Sequence, residues 1–407
     1  MPSLKTILFV VVVGLLLAWS YFARPIYDYV WIAYGREHDI AVEKIEPPAT
    51  GQLFDDVVAL NTQTVKEVDA YLASRRQQAV QSPPPEVTGL DFSSPAAYQA
   101  STGLLRAALE KTLGYPLGDA IHGSDFSAVQ QTAIGEDDLA AYTLVSIPAL
   151  PGVNMVGVLM EPKNHDSHAP MPLIIANHGR GGMPDRPPDG KFSLMSHSNR
   201  DLARGAVERG WAVFEPVFLF YGKGYPGNIR DILTLRAQEL GLTLPAIEIT
   251  KLVRSIDYLT SRPEIDPQRV AMVGMSYGGF YTLYTTALEP RIQVAVVAAY
   301  FNDRAHVLDL TDWQYGFLDW RYPESLSLFT DPHLVALVCP RPLEIESGNQ
   351  DQLFDIEGSR QNIPAARDYY AKLHLDSNFV FTEFTGRHDF NGDAAWQFID
   401  KAFQAKK

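Results

Sequence analysis

The run Gly274-Met275-Ser276-Tyr277-Gly278-Gly279 constrains the fold of this chain more than any other stretch. It follows four apolar residues, Val270-Ala271-Met272-Val273, and precedes a segment of helical spacing at 279–288. A serine between two glycines, in that setting, is the signature of a sharp strand-to-helix turn. The turn holds the serine at strained backbone angles, and a side chain at 274 or 278 would collide with the adjoining strand or helix. It exposes the Ser276 hydroxyl at the carboxyl end of the sheet, where ligands bind in open α/β folds. It also aims the Tyr277 N–H, at a helix start, towards negative charge developing on a substrate oxygen. A merely structural glycine turn is the alternative, and the strand before it and the helix after it weigh against that.

The same pattern recurs. Short apolar runs at 173–176, 211–214, 270–273, 294–297, 343–345 and 379–381 have the character of strands buried on both faces. Helical stretches at 202–209, 247–260, 279–288, 359–373 and 394–403 lie between or after them. Strand-helix alternation predicts an α/β fold with a doubly wound, mostly parallel sheet. Ahead of it, 142–147 and 153–160 predict an antiparallel hairpin turned around 148–152. Two helices precede the hairpin. One spans 62–81, with Val65, Val68 and Leu72 in helical spacing, and the other runs from the N-cap Ser94 and Pro95 to Gly114. The expected division is a mostly helical N-terminal extension at 24–140 and a catalytic domain at 141–407. Two stretches interrupt the alternation, 222–245 and a cap-like insertion at 302–340. The insertion carries Trp313, Tyr315, Phe317, Trp320 and Tyr322. These aromatics either cap a pocket above the strand ends or pack the insertion's own core.

A serine hydroxyl is a weak nucleophile and needs a base and an orienting acid. The chain order for this fold is serine, acid, histidine. Of the ten histidines, only His374 and His388 follow the 343–345 strand. His374 falls at the end of a helix and suits packing or solvation, whereas His388 sits in a loop directly after the last strand. His388 is therefore the candidate base. The acid is expected after 343–346, where Asp351 follows the turn Gly348-Asn349-Gln350 and is taken ahead of Asp355 and Glu357. Asp389 is too close to His388 to turn back onto the ring. A second oxyanion donor is expected in Asn177-His178-Gly179-Arg180-Gly181-Gly182, with the Arg180 N–H as the choice and His178 bracing the loop.

The formal charge of -14 over 407 residues argues against nucleic acid or an anionic membrane surface as partner. The single cysteine, Cys339, excludes an internal disulfide and a multi-cysteine metal site. His165 and His168 with Asp166 read as a solvated turn, and 179–182 lacks the Lys-Ser/Thr of a phosphate-cradling loop, so no cofactor is expected. Positive charge within 1–5 followed by the uncharged, mostly apolar run 6–23 predicts an export signal or a retained membrane anchor. Either places the body of the protein outside the cytoplasm, periplasmic or extracellular.

These residues resemble the α/β-hydrolase superfamily. More narrowly, they resemble its dienelactone-hydrolase and acetyl-xylan-esterase-like secreted branch. The similar motifs are Gly274 to Gly279, Ala287-Leu288-Glu289-Pro290-Arg291-Ile292 and Cys339-Pro340-Arg341-Pro342-Leu343. The family's Gly-x-x-Asp and Gly-x-His elements match Gly348 to Asp351 and Gly386 to His388, and the likeness covers 142–403. It implies cofactor-free hydrolysis of a small-molecule or carbohydrate ester. The nucleophile of dienelactone hydrolases is a cysteine, so Ser276 argues against that particular activity. Two other readings compete. A prolyl-oligopeptidase-like peptidase shares the fold and triad order, but 24–140 is too short for a propeller lid. An inactive, membrane-anchored binding scaffold would lack a triad member, and none is missing.

Overall fold

The computed structural model describes residues 52–81, 85–180, 202–219, 229–308, 318 and 320–404. The chain divides into two compact units, Met1–Leu72 and Ala73–Lys407. The expected export segment and the aromatics Trp313, Tyr315 and Phe317 lie outside the described residues. Among the described residues, no helix is long and apolar enough to cross a membrane. Helix α1 (Gln52–Gln81) starts ahead of the expected 62, since no glycine or proline interrupts 52–62.

The next helix opens as its sequence predicts. The Ser94 hydroxyl accepts from the Ala97 N–H at 3.1 Å, and Pro95 begins α2 (Pro95–Ser101). It does not continue to Gly114 in one piece. The chain breaks at Thr102, which caps α2, and resumes as α3 (Gly103–Leu113), closed by Gly114 at φ 70°. Gly103 is a weak helix former, and the restart brings Leu105, Leu109 and Leu113 onto one fully buried face. The Tyr98 hydroxyl donates to the Ala336 carbonyl at 2.8 Å, so this segment shares the core of the sheet domain.

Nine strands form one sheet among the described residues, in the order β1-β2-β3-β5-β4-β6-β7-β8-β9. They are β1 (Gln130–Glu136), β2 (Ala140–Leu150), β3 (Val153–Pro162), β4 (Met171–Asn177), β5 (Ala212–Pro216), β6 (Ile265–Met275), β7 (Val294–Ala298), β8 (Leu343–Gly348) and β9 (Phe379–Phe384). The hairpin β2–β3 is the expected one, and β1 adds an unforeseen strand outside it. Pairing is antiparallel through β1, β2, β3 and β5, and parallel from β5 through β4, β6, β7 and β8 to β9. Every residue of β4, β5, β7 and β8 is buried, which for β4 and β7 is why they read as continuous apolar runs.

Alternate strand residues feed two cores. Leu173, Ile175, Val270, Leu343 and Ile345 join one, and Ile174, Ala176, Ala271, Val296 and Ala298 join the other. The first core is covered by α2, α3, α6 (Leu244–Thr260), α7 (Tyr277–Leu288), α9 (Asp331–Val338) and α10 (Ile356–Lys372), and the second by α4 (Arg204–Val207) and α11 (Gly392–Gln404). Helix α5 (Ile229–Glu239) and the short α8 (Ser325–Leu328) lie in the two interruptions of the alternation.

The site's position follows from connectivity. From β4 the chain crosses the α4 face to β5, and from the adjacent β6 it crosses the opposite face through α7 to β7. Adjacent strands whose connections diverge leave a crevice at their carboxyl ends. Ser276 and the loop after Asn177 open into that crevice.

Candidate active site

Ser276 stands between β6 and α7 at φ 56° and ψ -118°, a left-handed conformation that a residue with a side chain adopts only where its surroundings enforce it. Its N–H donates to the Ala298 carbonyl at 2.8 Å, and its carbonyl accepts from the Phe280 N–H at 3.0 Å. Close backbone approach supplies the enforcement. A Cβ on Gly278 would lie 2.0 Å from the Asn177 oxygen, and one on Gly274 would lie 2.4 Å from the Gly278 oxygen. The turn is thus pressed against the end of β4, and only glycine fits at both positions. The Tyr277 N–H is among the first N–H groups of α7, which have no acceptor within the helix.

The loop after β4 is braced as expected. The buried His178 donates from Nδ1 to the Gly179 carbonyl at 2.8 Å, and its Nε2 accepts from the Phe218 N–H at 3.5 Å. Burial lowers its pKa to about 4, so the ring is neutral and structural. Arg180 follows, with its guanidinium 5.2 Å from the centre of the Tyr277 ring. A second guanidinium, from the buried Arg230 on α5, lies 4.7 Å from the same ring. Arg230 also stands 3.7 Å from the buried Glu248, which pairs with Lys251 at 2.7 Å and accepts from the Leu219 N–H at 3.0 Å. Sequence reasoning passed over Arg230, because nothing in the spacing of 222–245 marks which residue turns inward.

In the loops after β8 and β9, Asp351 Oδ2 and His388 Nδ1 are 2.8 Å apart. The carboxylate can only accept, so Nδ1 carries a proton, and in that tautomer of the neutral imidazole Nε2 is the acceptor. The other carboxylate oxygen of Asp351 accepts from the Leu353 N–H at 2.8 Å and the Phe354 N–H at 3.1 Å. The remaining acids are otherwise engaged. Asp355 caps α10 through the Gly358 N–H at 3.0 Å and lies 3.2 Å from His306. Glu357 pairs with Arg360, and Asp389 accepts from its neighbour, the Phe390 N–H, at 2.9 Å. His374 is exposed beyond the end of α10.

Aromatic rings link the insertion to this pair. Phe354 stacks on His388 at 5.6 Å between ring centres, and Trp320 meets Phe354 edge-on at 6.0 Å. Trp320 and Phe354 also line a narrow cavity with Tyr300, Arg304 and Asp331. Tyr322 instead points into the core, where its hydroxyl is 2.6 Å from that of Tyr284. Trp320 and Tyr322 both belong to the core shared with the sheet, so these two aromatics do not form a core of the insertion's own. Asn302, at the start of the insertion, donates through Nδ2 to the Asp355 carbonyl at 2.7 Å and the Ser359 hydroxyl at 3.1 Å, tying the insertion to the loop of Asp351.

The profile of the Prolyl oligopeptidase family matches residues 243–327, which take in α6, β6, the serine turn and α7. A Bacillus subtilis protein named as a hydrolase, YtaP, is 26% identical over 202 residues, covering 48% of this chain and 66% of that one. The uncharacterized peptidase YuxL of the same organism is 24% identical over 217 residues, covering 52% of this chain and 30% of that one. The match therefore spans less than two thirds of each relative's length. Among solved structures, a Bacteroides fragilis protein named as an acetyl xylan esterase superposes with a TM-score of 0.60 at 17% identity, covering 77% of this chain and 82% of that one. A glucuronoyl esterase from Teredinibacter turnerae superposes with a TM-score of 0.56 at 19% identity, covering 81% and 90%. The likeness is one of fold, which in this chain is a nine-stranded, mostly parallel sheet among the described residues with helices on both faces. The chain thus shares the fold of these structures, and its residues around the serine turn are similar to the Prolyl oligopeptidase family.

Proposed function

We propose that the chain is a carboxylester hydrolase in which Ser276 attacks the ester carbonyl. His388 Nε2 takes the serine proton and returns it to the departing alcohol, leaving an acyl group on Ser276 that water then removes. Asp351 holds the Nδ1–H tautomer and stabilises the imidazolium as it forms. The Tyr277 and Arg180 N–H groups stabilise the tetrahedral oxyanion. The reading is supported by the 2.8 Å Asp351–His388 bond, in the serine–acid–histidine chain order, and by a serine held in the strained turn. The esterase names of the structural relatives favour acylated carbohydrate as substrate, and the run at 6–23 favours action outside the cytoplasm.

A peptidase reading has its own support, in the match to the Prolyl oligopeptidase family and in YuxL. Parallel assays on acetylated xylose oligomers, p-nitrophenyl acetate and peptidyl p-nitroanilides separate the two. The esterase reading expects turnover of the esters with the anilides slower by orders of magnitude. Cleavage of the anilides at comparable kcat/KM would overturn it in favour of the peptidase.

A further inference from the structure

Strand β8 is read in sequence as doubly buried, yet it carries Glu344 and Glu346. Leu343 and Ile345 face one core, and the Ser347 hydroxyl meets Ser359 of α10 on that side at 3.2 Å. Alternation sends Glu344, Glu346 and Gly348 to the opposite face, beneath the loop that carries His388. There, a Cβ on Gly348 would lie 2.2 Å from the Arg387 oxygen, so the backbone just before His388 rests directly on the strand. Just after His388, the Asn391 N–H donates to Glu346 Oε2 at 3.0 Å. The base is therefore clamped on both sides by consecutive same-face positions of β8.

We infer that Glu346 is a positioning residue for the reaction, holding the loop of His388 in place through the Asn391 N–H. The inference rests on His388 being the base. Burial, then the nearby Glu344, push the Glu346 carboxyl well above the ordinary range, with Asp389 adding to the rise, while the Asn391 and Ala395 N–H groups pull it down. Of the charged groups that act on it, Glu344 is on its own strand and Asp389 is in the loop, and both are acidic. The folded state binds its proton more tightly than the unfolded chain does. The contribution to stability is therefore complete below the unfolded value of 4.5 and is lost as pH rises towards the folded value. Ionisation leaves a desolvated carboxylate beside Glu344 and Asp389, and the loop opens to hydrate it. The base then leaves its place.

The test compares wild type, Glu346→Gln and Glu346→Ala by kcat for p-nitrophenyl acetate across pH. It is paired with amide hydrogen-exchange protection of residues 385–396, corrected for the intrinsic pH dependence of exchange. Gln keeps the acceptor for the Asn391 N–H but cannot ionise. Wild type should lose both protection and kcat at alkaline pH, and Glu346→Gln should keep both. Glu346→Ala should lose about tenfold or more in kcat at neutral pH, with KM little changed. An alkaline loss of protection in Glu346→Gln equal to wild type would overturn the inference, as would full kcat in Glu346→Ala. If wild type hydrolyses no ester, the esterase reading fails, and the exchange comparison still decides the role of Glu346.

Discussion

The serine turn is held by backbone pressed on backbone, whereas the loop of His388 is held by side chains drawn from distant parts of the chain. At Ser276, the enforcing contacts are those of Gly274 with Gly278 and of Gly278 with Asn177. They need nothing from the neighbours except the lack of a side chain. At His388, the supports are the Asp351 carboxylate, the Phe354 ring, the Glu346 carboxyl and, behind the Asp351 loop, the Asn302 amide. The first arrangement tolerates no substitution at its glycines and little adjustment. The second has several partly redundant ties, so its variants should show graded losses.

The largest expected effect in this contrast falls on the pair at its centre. Asp351→Asn keeps the shape but permits the wrong His388 tautomer, and kcat for ester hydrolysis should drop by about 10⁴ while the circular dichroism spectrum is unchanged. Full activity would move the orienting role to another acid. Gly278→Ala tests the other side, since its Cβ has no space beside Asn177. It should destabilise the fold by about 4 kcal/mol in denaturant titrations, and an unchanged midpoint would show that the turn can shift. The smallest effect belongs to Asn302→Ala. Losing its bonds to Asp355 and Ser359 should cost about 2 kcal/mol of stability. It should lower kcat more than it raises KM. Equal loss in both would place Asn302 at substrate rather than behind the Asp351 loop.

The same contrast explains what could be read from the sequence. The sheet was legible because burial on both faces writes itself as apolar runs, as at 173–176 and 294–297. The serine turn was legible because its requirement is local, a glycine on either side. The bonded partners Asp351 and His388 were found through chain order, not geometry. Phe354, Asn302 and Glu346 were not found, because their ties run between residues far apart in the chain. Asn302 reaches 53 residues to Asp355, and Glu346 meets an amide 45 residues on. Glu346 did leave a signal, a second carboxylate in a strand with no solvent face, read only as the end of the strand after which the acid was expected. The helix break at Thr102 and the added strand β1 went unseen because propensity there is weak and tertiary packing decides.

The central claim, that Ser276 is a nucleophile activated by His388, is tested most directly by a fluorophosphonate probe with mass spectrometry of the adduct. Rapid labelling confined to the peptide containing Ser276, and slowed by orders of magnitude in His388→Ala, is the predicted result. An unlabelled protein, an adduct on another residue, or labelling of His388→Ala at the wild-type rate would contradict it.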